Sequence, residues 1–75
     1  MEAMEFSPTG EYIELHHLLK LAGACASGGA GKALVASGRV RVDGAVELRK
    51  TCKIRVGQTV VIDGMTIRVV GAPAA

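Results

Sequence analysis

The apolar residues of this chain change their spacing once, at Gly38, and that change decides what class of fold it can adopt. Before it, Leu15, Leu18, Leu19 and Ala22 fall at i, i+3, i+4 and i+7, the stripe of a short amphipathic helix that Gly23 would stop. Ser27 stands where a second helix needs its N-cap. That helix is expected to run to about Ser37, with Gly38 past its end and an inward stripe of Ala30, Ala33 and Leu34. After Gly38 the period is two. Val40 and Val42 alternate with Arg39 and Arg41, and Cys52, Ile54 and Val56 with Lys53 and Arg55, so the apolar side chains can face a core while the bases face water. Asp43-Gly44 and Asp63-Gly64 are tight-turn pairs, the second joining strands expected over residues 59–62 and 65–70. Upstream, Met4–Phe6 and Tyr12-Ile13 read as two short extended pieces around the turn residues Ser7-Pro8-Thr9-Gly10. The expected class is α+β: two short helices packed on one face of a small, mainly antiparallel β-sheet.

At 75 residues the chain has material for one core, so residues 1–75 are read as a single domain with a flexible tail over 71–75. Apolar residues make up 49%, yet Phe and Tyr occur once each and Trp never, so the core must be aliphatic. That hydrophobic content is too high for a disordered chain. No apolar run reaches membrane-spanning length, and the start, Met1 to Phe6, is acidic and lacks a secretory apolar segment. A cytoplasmic, monomeric protein is expected, with no membrane partner. Cys25 and Cys52 are not spaced as paired metal ligands, and the adjacent His16 and His17 point about 100° apart on a helix. Two reduced, semi-buried thiols are therefore expected, with no metal and no cofactor. A redox or metal module built on the two cysteines remains the third reading.

Charge is unevenly placed. Residues 1–19 carry Glu2, Glu5, Glu11 and Glu14 and no base, whereas residues 20–55 carry eight bases against only Asp43 and Glu47, inside a formal net charge of +2. Such a segment is the electrostatic footprint of a polyanion binder. Lys32 and Arg39, seven apart, fit one side of the second helix and its exit. Arg39 with Arg41, and Lys53 with Arg55, share strand faces, and Arg49 and Lys50 fall in the connection between them. One contiguous positive surface is expected, against the plainer reading of charged strand faces that only keep the domain soluble.

The run Ser27-Gly28-Gly29-Ala30-Gly31-Lys32 adds a second indication, because a glycine-lined helix start lets a phosphate approach unpaired amides. Packing of two helices at close range would explain the same glycines. A nucleotide phosphate loop is excluded: Ala26 stands where its first Gly belongs, Ala33 where its Ser or Thr belongs, and no strand precedes it. Catalysis finds no support either. His16 and His17 have no partnered nucleophile, Cys25 is better read as a small core residue, and Glu11 and Glu14 suit a solvated edge. With Phe6 and Tyr12 alone, a multi-base stacking platform is ruled out, which favours recognition of backbone and shape.

The runs Leu18-Leu19-Lys20-Leu21-Ala22-Gly23, Ser27 to Ala33, Gly38-Arg39-Val40-Arg41-Val42-Asp43-Gly44, Arg49-Lys50 and Val56 to Val60 together resemble the RNA-binding domain first known from ribosomal protein S4, the αL motif. The likeness covers about residues 11–70 and is strongest to the small stand-alone members of YbcJ and YaaA type. It implies a non-catalytic protein that docks on the backbone of structured RNA, ribosomal or transfer RNA among the candidates. Carried over by position, the RNA-binding residues would be Ser27, Lys32, Arg39, Arg41, Arg49 and Lys50, with Lys53 and Arg55 beside them, and the glycine-lined helix start adds Gly28 and Gly29 to the expected site. Gly28, where many members have a base, and Gly31, where alanine is usual, shift weight to the Arg39–Lys50 region. The alternative from another class is a protein-interaction module using the same surface on an acidic or ribosome-associated partner.

Overall fold

The computed structural model describes residues 2–71, so the tail expected over 71–75 lies, beyond Gly71, outside the described residues. The chain forms β1 (Glu2–Phe6), β2 (Tyr12–Glu14), α1 (Leu15–Leu21), α2 (Gly28–Ala36), β3 (Val40–Val42), β4 (Ala45–Val46), β5 (Lys53–Arg55), β6 (Thr59–Ile62) and β7 (Met65–Val69). The class is α+β, as the change of period at Gly38 implied.

The strands do not form one sheet. A five-stranded sheet in the order β1-β7-β6-β3-β4 is antiparallel except where β1 runs parallel to β7, and β2 and β5 form a separate antiparallel ribbon. Local alternation could not separate them: Lys53 to Arg55 have the same pattern as Val40 to Val42, but Ile54 pairs with Ile13 rather than joining the larger sheet. Both Asp-Gly pairs form the expected turns. Asp43 and Gly44 take φ of 51° and 85°, and Asp63 and Gly64 44° and 83°, the left-handed pair a two-residue hairpin requires.

Leu15, Leu18 and Leu19 of α1 and Val35 of α2 meet Val40, Val60, Ile67 and Val69 of the larger sheet and Ile54 of the ribbon in a single aliphatic core. Full burial of each is worth about 1.5–3 kcal/mol. Two expected inward residues are wrong. Ala30 and Ala33 are exposed, and α2 turns Gly31 and Val35 inward with Leu34 half-buried. The reason is volume: a Cβ on Gly31 would lie 2.6 Å from the His16 carbonyl oxygen, so the helices cross where α2 has a glycine with no room for a side chain. Val56, expected to face inward with Cys52 and Ile54, is 54% exposed because β5 ends at Arg55. Cys52 is half-buried.

Candidate nucleic-acid interface

The basic residues are placed mainly by backbone contacts around one short stretch, the junction Glu14–His16 where β2 becomes α1. Glu14 occupies the N-cap of α1 without a side-chain cap. The first amides are satisfied from the loop before β5 instead: Leu15 N–H donates to the Cys52 carbonyl at 2.9 Å and His16 N–H to the Lys50 carbonyl at 3.0 Å. Glu14 pairs with Lys53 in the ribbon, and Gly31 seats α2 on the His16 carbonyl, which sets Lys32 one residue away. Gly31, Lys50, Cys52 and Lys53 thus converge on three consecutive residues. Lys32, Lys50, Lys53 and Arg55 are all exposed, and among the described residues none of them is in an ion pair.

The loop that delivers Lys50 is shaped by a local clamp. Glu47 accepts from the Arg49 backbone N–H at 3.0 Å and from its guanidinium at 3.1 and 3.2 Å. These Arg49 bonds, side-chain first, hold the Glu47 carboxyl down at about 2, and the carboxylate in turn raises the guanidinium. Burial, reinforced by Glu47, pushes the Cys52 thiol up, which suits a packed thiol better than a reactive one. Cys25 is also free, its Sγ donating to the Ser27 carbonyl at 3.4 Å. At the start of α2 the Ser27 hydroxyl accepts from Ala30 N–H at 3.2 Å, the cap expected from the sequence, with Gly28 and Gly29 in the turn that follows.

Two of the expected site residues are held differently from this cluster. Arg39 is not in β3; it reaches across to the β6–β7 turn and makes a two-pronged pair with Asp63 at 2.6 and 3.2 Å. Arg41 lies between the buried Val40 and Val42 and opposite Val61 and Val46, so it projects from the face of the larger sheet that turns away from the core. The bases expected to form one surface from Lys32 through Arg55 therefore differ in how the fold engages them. Arg39 lines a surface cleft with Ala30 and Ala33 of α2 but is already paired, and Arg41 projects from the outer face of the larger sheet.

Two features of the site escaped the sequence reading. One is the Glu47 clamp, legible in retrospect as an acid two residues before Arg49. The other is Tyr12, whose ring has Lys53 Nζ at 5.0 Å and Arg55 Cζ at 5.8 Å from its centroid, within cation–π range. Their partnership depends on pairing between strands about forty residues apart.

The sequence pattern of the S4 domain family matches residues 6–70. The chain belongs to the S4 domain family. It is 52% identical over 59 residues to YbcJ of Escherichia coli (strain K12), which spans 79% of this chain and 84% of that protein, and equally so to YbcJ of Shigella flexneri. The solution structure of E. coli YbcJ superposes with a TM-score of 0.67 at 45% identity, covering 95% of this chain and 89% of that one, and is described as revealing an αL motif involved in RNA binding.

Proposed function

We propose that this protein binds structured RNA by docking on its phosphate backbone and catalyses no reaction. The observation that carries the reading is the group of four cations free of ion pairs, Lys32, Lys50, Lys53 and Arg55, borne by elements that all contact the β2–α1 junction. Membership of the S4 family and the RNA-binding αL motif described for E. coli YbcJ support it. Ser27, Gly28 and Gly29 flank the group at the start of α2, and the small exposed side chains Ala30 and Ala33 leave that helix face open to close approach of a sugar-phosphate chain. Arg49 contributes less than an unpaired base because Glu47 already holds its guanidinium. Arg39, beside that open face of α2, contributes less for the same reason because Asp63 holds it, and Arg41 projects from the outer face of the larger sheet. A cytoplasmic monomer with no cofactor completes the reading; no helix among the described residues is long and apolar enough to cross a membrane.

Binding to a hairpin RNA, titrated at several salt concentrations, tests it. If about four to six phosphates are neutralised, log affinity falls with log salt at a slope of roughly −3 to −5. A salt-independent affinity, or equal binding to hairpin RNA and to single-stranded DNA, removes backbone docking on structured RNA.

A further inference from the structure

We infer that the cleft beside Tyr12 receives one unpaired nucleobase of the bound RNA, so that the protein reads a bulged or flipped nucleotide as well as the backbone. The inference rests on the RNA-docking reading and goes beyond it by naming a base-binding site. The cleft has a volume of about 340 Å³ and is lined by Phe6, Pro8, Tyr12, Glu14, His17 and Leu21. That is the lower end of the size of small-ligand sites, and a mainly apolar lining with a few polar groups is their usual make-up. Tyr12 and Leu21 are 41% and 52% exposed, which leaves apolar surface open to a flat ring.

Three features select a nucleotide over another apolar guest. Lys53 and Arg55 stand at the Tyr12 ring and are exposed, so a base stacked on the tyrosine would bring its phosphate to two cations. Glu14, half-exposed in the cleft with one oxygen 3.4 Å from His16 Nε2, presents an acceptor to an exocyclic amine, the group that adenine and cytosine carry and uracil lacks. The cleft and the basic cluster are also joined through one element, since β2 supplies both Tyr12 and the Glu14 that pairs with Lys53. A single aromatic cannot form a multi-base platform but is sufficient for one base.

The chain has one Tyr and no Trp, so its tyrosine emission reports Tyr12 alone. Three hairpins of identical stem are titrated: one with a single bulged adenine, one with an abasic sugar at the bulge, and one with a bulged uracil. The adenine hairpin is expected to bind roughly five- to a hundredfold tighter than the abasic one, the range for one base–aromatic stack. It alone should quench the emission strongly, with uracil intermediate in affinity. Tyr12→Phe keeps the preference and Tyr12→Ala erases it, while the wild-type titration stands whether or not those variants fold. Equal, salt-dependent binding of adenine and abasic hairpins with unchanged emission overturns the base site and leaves backbone docking intact. Failure of all three to bind removes both.

Discussion

Bases in two regions of the molecule meet opposite fates. At the β6–β7 turn, Arg39 is held by both oxygens of Asp63, a residue 24 positions away, and the larger sheet around it is regular and closed by Asp-Gly turns. At the β2–α1 junction the backbone is irregular, its amides are satisfied by loop carbonyls, and among the described residues Lys32, Lys50, Lys53 and Arg55 have no acidic partner. A count of bases treats the two regions alike. What distinguishes them is whether the fold brings an acid within reach. A neutralised arginine offers little net charge to an RNA, and a surface ion pair adds at most about 1 kcal/mol to the fold.

Charge removal gives the sharpest test of that contrast. Alanine at Lys32, Lys50 and Lys53 together is expected to weaken hairpin binding by about a hundredfold near 0.1 M salt and to flatten the salt slope by about three, since each neutralised phosphate contributes close to one power of salt. These side chains are exposed, so thermal unfolding should move little. Alanine at Arg39 and Arg41 should change affinity less than about threefold. The opposite ranking, read in the same titration, would move the interface to the outer face of the larger sheet.

What the sequence made legible was whatever depends on neighbours along the chain. The α+β class, the Ser27 cap, the Leu15-Leu18-Leu19 stripe and the two Asp-Gly turns all follow from spacing and local stereochemistry. The inward face of α2 did not, because with Ala or Gly at most positions the stripe has little contrast, and close approach to His16 selected Gly31 and Val35. The division into two sheets, the Arg39–Asp63 pair and the cations at Tyr12 escaped for another reason. Each joins residues far apart in sequence, and alternation says which side a residue faces without saying what lies opposite. Of the proposed site, the basic character and the α2 start were legible, and the Asp63 pairing of Arg39 and the outer-face position of Arg41 were not.

The helix crossing supplies a second, smaller test, by setting two glycines of one helix against each other. A methyl at Gly31 meets the His16 carbonyl, whereas one at Gly29 finds only the Ser27 hydroxyl at 3.9 Å. Gly31→Ala should therefore destabilise the fold by about 1–3 kcal/mol despite its better helix propensity, a range typical of overpacking. Gly29→Ala should be neutral or stabilise by up to about 1 kcal/mol. Denaturant midpoints at equal slope measure both. Equal tolerance at the two positions would mean that α2 can slide on α1, and that Lys32 is not fixed relative to Lys50.

The Glu47 clamp carries the smallest effect and separates loop shape from charge. Its carboxyl titrates at about 2 in the folded protein against 4.5 ordinarily, chiefly because of the bonds from Arg49. A depressed folded value means that the stabilisation is complete above about 4.5 and is lost as pH falls through about 2. Glu47→Gln should thus lower stability only slightly at neutral pH, because the Arg49 side of the pair is exposed to solvent. The gap between variant and wild type should close as acid protonates the native carboxyl, which parallel denaturant curves from pH 7 to pH 2 would record. The same variant releases Arg49 while keeping every lysine of the basic cluster, so its effect on RNA affinity has a sign that discriminates. Tighter binding means that the freed guanidinium joins the footprint. Weaker binding means that the clamp matters by holding Lys50 at the junction, which makes the loop's shape, more than its charge, the property that Glu47 maintains.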